Sequence, residues 1–486
     1  MTSIRRSLAL SFIERYLLMA IALFGSILVA RLLTPEEIGI YSVSLALIGI
    51  AQVVRDFGLG NFLIQERDLT DAHIRTAFGF ALFIGFTLFG LVFLAAPAIA
   101  DFYANDRLLQ TLRISSLNFL VLPFCSISLS LLRREMAFNR LIKVNLIAAS
   151  VGFITTISLA YAGCGPNSMA IGGVTSNLVT GMGAWFVRTD RKFLLPGISE
   201  WRKVLNFGGQ SSLAAIVTTI AMDINDLAVG KILGFAPVAI ISRAQGLMNL
   251  FHRDLMTAVR SVAFPAFSKA HRAGENLEVR YIASVTNVTV IAWPFYGFAA
   301  LYALELIRLL FGPQWDEAVP LVPWFCLAGA VAATSNLILN AIMATGRIDL
   351  VTKSELFYQP LRAALIVAAA VLFESIWACT IAFAIALIAH TPYIYAFKSR
   401  CIPNDYRLLL SQLWSSAKVT FAALSGPVIL VIYEGLGRHE PMGIMLILTA
   451  ALVCGLSWLM ALILFKHPLT ADPLFQRLVA GLPRFA

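Results

Sequence analysis

Nine ionisable residues stand inside stretches of this chain that are otherwise apolar. They are Arg15, Arg55, Arg243, Arg253, Arg260 and Arg362, with Asp223, Asp226 and Asp254. A guanidinium is a planar fork of donors that grips an oxyanion, such as a diphosphate, through paired hydrogen bonds. A carboxylate in the same setting can exchange a proton or hold a cation. Asp223 and Asp226 are three apart, so a helix places them on one face. Each residue also has a plainer role. Arg15 adjoins Glu14, and both can reach a membrane surface. Arg55 can pair with Asp56, Arg253 with Asp254, and Arg362 with Glu355. Arg243 and Arg260 lie toward the ends of their segment, where a long side chain can snorkel to water.

The elements that carry these residues follow from composition. Of 486 residues, 59% are apolar and only 13% are charged; mean hydropathy is +0.81. A soluble protein has about 25% charged residues, so this chain has too few to cover a water-facing surface. Its solvent is lipid, and the fold class is all-α integral membrane, because the apolar runs are too long and uniform for barrel strands. About 14 transmembrane helices are expected, near residues 8–33, 38–60, 76–100, 111–131, 144–163, 168–187, 209–233, 238–263, 281–303, 318–340, 356–373, 376–397, 416–434 and 442–465. The first of these reads as an uncleaved span, since Glu14 and Arg15 interrupt the run that follows Arg5 and Arg6.

Charge placement orients the chain. With the N-terminus in the cytoplasm, 24 of the 37 Lys and Arg fall in inside segments and 5 in outside loops. The rest lie within or beside spans: the six Arg above, Arg113, and Lys418, which reads as an interfacial anchor. This is the positive-inside pattern, and it puts both termini in the cytoplasm. It also accounts for the net charge of +10 without a nucleic-acid partner, since the basic residues are dispersed over short loops.

A weak repeat divides the chain. Val29–Gly49 matches Val229–Asn249 without a gap: Val29, Leu33, Ile40 and Ser42 recur as Val229, Leu233, Ile240 and Ser242, and Arg31 as Lys231. Arg55-Asp56 is echoed by Arg253-Asp254. Such internal symmetry marks many transporters. The expected plan is a six-helix bundle at 1–190, a cytoplasmic interfacial connector at 191–208, and a pseudo-symmetric second bundle at 209–398. Residues 399–486 add an interfacial segment, two extra helices and a cytoplasmic tail. Ser199–Leu205 and Asp405–Trp414 read as short helices lying in the headgroup layer.

The six cysteines show no CxxC or metal-ligand spacing, and no metal or other cofactor is expected. P-loop, HExxH and GxSxG motifs are missing.

Leu32-Leu33-Thr34-Pro35-Glu36-Glu37-Ile38-Gly39-Ile40-Tyr41, then Asp56-Phe57-Gly58-Leu59-Gly60 and Leu63-Ile64-Gln65, resemble the N-terminal signature of the polysaccharide-transport family. These are the Wzx-type flippases of O-antigen and exopolysaccharide units. They belong to the superfamily of multidrug extruders and the lipid II flippase. Gly346-Arg347, just after the tenth span, agrees. The resemblance implies two six-helix bundles around a central cavity. It implies transport of an undecaprenyl-diphosphate-linked oligosaccharide from the cytoplasmic to the periplasmic leaflet of a bacterial inner membrane, with a polysaccharide polymerase and other export components as partners. The six Arg would then be cavity residues for substrate, and Asp223, Asp226 and Asp254 sites for ion or proton coupling. Two rivals remain. A cation-coupled multidrug antiporter of the same superfamily would prefer an acidic cavity. A membrane glycosyltransferase or polymerase would need a large water-exposed loop.

Overall fold

The structure, a computed structural model, describes residues 2–56, 59–188, 195–197, 199, 219–434, 442–471 and 475. Among these, helices account for nearly all regular structure and there is no strand. In chain order they are α1 Thr2–Leu32, α2 Pro35–Asp56, α3 Leu59–Gln65, α4 Asp71–Tyr103, α5 Asp106–Ser116, α6 Asn118–Arg134, α7 Phe138–Tyr161 and α8 Pro166–Val187. After α9 (219–232) come α10 Phe235–Asn249, α11 Met256–Arg272, α12 Leu277–Leu301, α13 Ala303–Leu310, α14 Val322–Ala332, α15 Ile338–Ala344, α16 Ile348–Phe373, α17 Ile376–Lys398, α18 Tyr406–Glu434 and α19 Ile444–Leu464.

Ten of the expected spans are helical segments long and apolar enough to cross a membrane; the fourth is made of α5 and α6, joined at a turn at Leu117. The other four differ for separate reasons. The sixth, α8, is a continuous helix enriched in small polar residues. The seventh lies in part outside the described residues. The eighth is interrupted by a π turn, and the tenth is broken at 333–337. Of the expected interfacial helix at Ser199–Leu205, only Ser199 falls within the described residues. The segment Asp405–Trp414 is not separate: it forms the first turns of α18. Asp405 caps that helix, its carboxylate accepting from the Leu408 N–H at 2.9 Å, and no Gly or Pro separates Tyr406 from the start of the span, so the helix runs on into it.

The chain packs as two compact units, Met1–Ala239 and Ile240–Ala486. In the first, the Thr34-Pro35-Glu36-Glu37 turn is a capping box. The Thr34 N–H donates to Glu37 Oε2 at 3.0 Å, and the Glu37 N–H to Thr34 Oγ1 at 3.3 Å. Pro35 takes the first helical position, where its missing N–H costs nothing. α2 then runs tightly against the second copy of the repeat. A Cβ on Gly39 would lie 1.9 Å from the Phe235 carbonyl oxygen. One on Gly230 would lie 2.6 Å from Val43, and one on Gly49 2.8 Å from Asp223. The same device joins α7 to α8, where Gly152 faces Ser176 and Gly172 faces Thr156. Small residues let helix backbones approach in lipid, where no hydrophobic force drives association. This explains why α8 trades apolar side chains for Gly, Ser and Thr.

The Leu63-Ile64-Gln65 stretch ends α3, whose Leu59, Phe62 and Leu63 pack on Ala77, Phe78 and Leu131. The Arg134 guanidinium caps its C-terminus, donating to the carbonyls of Leu63 (3.0 Å), Ile64 (3.3 Å), Glu66 (2.5 Å) and Arg67 (3.2 Å). A cation at a helix C-terminus satisfies both the orphan carbonyls and the dipole.

In the second unit, α18 and α19 pack on α12 through Val290, Val419, Ala461 and Leu462. The Trp458 indole donates to the Val290 carbonyl at 2.8 Å. Ser416 joins Thr289 to His467. Burial pushes the His467 imidazole down to about 4, so it acts as a neutral partner. Lys398 is fully buried and donates to Glu278, which also accepts from the Asp405 N–H at 3.1 Å. This ion pair ties the start of α12 to the end of α17.

Two substitutions test this packing. Gly39→Ala is expected to abolish the well-folded form, because its methyl overlaps the Phe235 carbonyl. Thr34→Ala is expected to cost about 1 kcal/mol, the worth of an N-cap. Melting curves of detergent-solubilised protein read both; an unchanged melt for Gly39→Ala contradicts the close approach.

Candidate functional site

The second unit breaks two of its spans where polar residues interrupt the apolar pattern. Between α10 and α11 the backbone winds one wide π turn, Leu250–Leu255. A π turn inserts a residue and re-aims side chains. Here it presents Arg253 outward, its side chain 69% exposed, with Nε donating to Asp254 Oδ1 at 2.9 Å. The Arg253 carbonyl is taken up by the Thr257 hydroxyl. His252, on the same turn, is half-buried.

Between α14 and α15 the backbone leaves the helix at Ala333-Thr334-Ser335-Asn336-Leu337. Such a break is tolerated at membrane depth only if its backbone groups find partners. The hydroxyls of Tyr281 and Tyr395 meet at 3.0 Å, and each lies 2.9 Å from the Thr334 carbonyl oxygen. The Trp293 indole donates to the Ala330 carbonyl at 2.9 Å. Ser335 and Thr391 are in hydrogen-bond contact at 3.2 Å. Gly329 makes room for the Tyr296 ring and Met248.

The two breaks meet. Arg260 donates to the Asn336 side-chain oxygen and, at 2.9 Å, to the His252 carbonyl. Asn336 Nδ2 lies 3.5 Å from His252 Nδ1. On α16 and α17, Arg362 stands over the rings of Tyr358 and Phe383, and the His390 ring lies 4.0 Å from that of Tyr358. Arg260, His390 and Arg362 all lie within electrostatic reach of His252.

Arg243 does not act as a free cation: its guanidinium stacks on Phe311 at 5.0 Å and Trp315 at 5.2 Å. The alternative pairing of Arg362 with Glu355 is not formed; Glu355 accepts from Gln359 at 2.7 Å. In the first unit Arg15 is exposed, and its neighbour Glu14 accepts from Asn145 at 2.8 Å. Arg55 is half-buried on the last turn of α2, in the field that reaches Cys125. Asp223 faces Gly49, with Asp226 in its field. Sequence reasoning passed over His252, Asn336 and His390. A signal was present: Thr334-Ser335-Asn336 is a run of hydrogen-bonding residues in mid-span, and His252 adjoins Arg253-Asp254. No group of His, Cys, Asp and Glu suited to a metal ion occurs among the described residues.

The family described as "Polysaccharide biosynthesis protein" matches residues 28–320, beginning at the Thr34-Pro35 signature and ending past the π turn. The chain belongs to that family. Among curated relatives, it is 24% identical over 409 residues to the lipopolysaccharide biosynthesis protein WzxC of Escherichia coli (strain K12), covering 83% of this chain and 82% of that one. It is 22% identical over 453 residues to the succinoglycan biosynthesis transport protein ExoT of Rhizobium meliloti (strain 1021), covering 91% and 89%. In fold it resembles the lipid II flippase MurJ in an inward closed conformation, with TM-score 0.73 at 15% identity over 95% of this chain and 98% of that one. A multidrug resistance MATE family transporter of the MOP superfamily, inward-facing, matches with TM-score 0.62 at 16% identity over 79% and 94%. The chain is a multi-pass membrane transporter of polysaccharide biosynthesis.

For this member of the family the break in the tenth span sets a direct test. Replacing Tyr281 and Tyr395 together by Phe leaves the Thr334 carbonyl without a donor and is expected to cost about 1–3 kcal/mol. Either single replacement leaves one hydroxyl in place and costs less. Equal melting temperatures for the double variant and wild type would contradict the assignment.

Proposed function

We propose that the chain flips a polyprenyl-diphosphate-linked oligosaccharide, carried on undecaprenol, from the cytoplasmic to the periplasmic leaflet of a bacterial inner membrane. The movement is alternating access between two pseudo-symmetric halves, with both termini in the cytoplasm. The observation that carries the reading is Arg253. A guanidinium 69% exposed in the middle of a span is untenable against hydrocarbon, and it belongs in a polar passage. Its fork suits a diphosphate. Arg15, Arg55, Arg243, Arg260 and Arg362 are the further candidates for contact with the substrate. Glycan and diphosphate travel in that passage while the polyprenyl tail stays in lipid.

Family membership supports a glycan cargo. So does the likeness to relatives named for lipopolysaccharide biosynthesis and succinoglycan transport. The fold shared with a lipid II flippase agrees. Asp223, Asp226 and Asp254 are the acidic candidates for coupling to an ion or proton gradient. A polysaccharide polymerase would receive the flipped unit. An organic-cation antiporter fits the residues less well, because its cargo would be repelled by the Arg side chains.

The test is complementation of a strain that lacks the gene and accumulates the lipid-linked unit inside. Arg253→Ala is expected to reduce export strongly at normal protein level. Arg253→Lys restores part of it, a point charge replacing a fork. Arg253→Glu is worse than Ala. Full export by the Glu variant would exclude a diphosphate contact. Poor expression rescued by swapping Arg253 and Asp254 would make the pair structural.

A further inference from the structure

The second unit holds two guanidinium groups and two imidazoles where the π turn, the broken span, α16 and α17 converge. Arg260 is fixed by Asn336 and the His252 carbonyl. Arg362 is held over Tyr358 and Phe383. Neither makes an ion pair with a carboxylate among the described residues; the nearby Glu355 is engaged by Gln359. The Nε of Arg362 and the Nε2 of His390 are buried and meet no hydrogen-bond partner among the described residues. Two buried nitrogens on adjacent helices, next to a surplus of positive charge, are the complement of an oxyanion.

We propose that Arg260, Arg362, His252 and His390 form a proton-linked oxyanion site. The guanidinium groups hold the phosphate oxygens, and the imidazoles take up a proton as the anion arrives. It deepens the transport reading above and rests on that reading for the anion's identity, the diphosphate of the lipid-linked unit. The reason for the proton is electrostatic. An anion set among these groups favours the charged imidazolium. By reciprocity, a proton on His252 or His390 tightens the anion by the same factor. The other titratable or charged groups about the site are Glu355 and Tyr358 on α16, Tyr393 on α17 with Arg400 beyond its end, and Arg253 and Asp254 on the π turn. None of these is a second imidazole pair. The site would couple anion movement to proton movement through His residues, independently of Asp223 and Asp226 in the first unit.

The experiment is calorimetric titration of the full-length protein in lipid nanodiscs. The probe is dimethyl diphosphate, esterified on both phosphates as a lipid-linked unit is, so that its own charge stays constant across the range tested. Two buffers of different ionisation heat reveal protons taken up on binding. The expected result is saturable binding with net proton uptake, several-fold tighter at about pH 6 than at about pH 8. Arg260→Gln and Arg362→Gln should each weaken binding by about tenfold or more. His390→Gln and His252→Gln should each lower the proton count while retaining binding at the higher pH. Should one variant fail to fold, the wild-type proton count and the other variants still decide. Binding without proton uptake, or uptake unchanged in both His variants, overturns the link. No binding, or binding untouched by either Arg substitution, overturns the site. Preference for inorganic phosphate over the diester overturns the assignment to substrate. Undiminished glycan export in the strain lacking the gene would instead sink the transport reading and leave the proton count standing.

Discussion

A backbone polar group cannot be left unpaired at the depth of a lipid bilayer, and the functional part of this protein depends on how that constraint is met. The tenth span leaves its helix at 333–337 because other helices supply donors in advance. Tyr281 and Tyr395 converge on the Thr334 carbonyl, and Trp293 reaches Ala330. Asn336 is thereby freed to meet Arg260 and His252 across from the π turn of the eighth span. The buried Lys398–Glu278 pair steadies the same neighbourhood, since Tyr281 and Tyr395 lie beside the Lys398 ammonium at 4.9 and 5.7 Å. Removing one partner of such a pair strands a buried charge, which is why it specifies one arrangement strongly.

The family signature belongs to architecture more than to chemistry. Thr34, Pro35 and Glu37 build a helix start, and Gly39 allows α2 to touch the backbone at Phe235. Leu63 and Ile64 end a short helix that Arg134 caps. A transporter must keep such joints rigid while other parts move, and lipid offers no hydrophobic force to hold helices together. Capping, close glycine contacts and polar side-chain bonds take that role.

Helices such as α4, α7, α16 and α19 were legible because twenty or so apolar residues in lipid have no alternative to helix. The breaks were not, because apolar runs 238–263 and 318–340 read alike whether continuous or interrupted. Only the tyrosines and tryptophan on other helices decide where a carbonyl can be released. Arg260 and Arg362 stand out in the sequence by their charge, whereas His252, Asn336 and His390 carry none that marks them. Arg134, one more basic residue in the sequence, owes its role to the end of α3, which it caps. The stacking of Arg243 on Phe311 and Trp315 is not legible, because those rings lie in a segment that hydropathy treats as a loop.

We propose that this transporter of polysaccharide biosynthesis moves a lipid-linked glycan across the bilayer. The most direct measurement places purified protein in liposomes carrying a labelled undecaprenyl-diphosphate oligosaccharide on one leaflet. A membrane-impermeant glycosidase then reports how much substrate has reached the other leaflet. The account predicts transfer that depends on the protein and falls sharply with Arg253→Glu. Substrate that stays on its original leaflet under both pH-gradient and ion-gradient conditions, with correctly folded protein present, would contradict it.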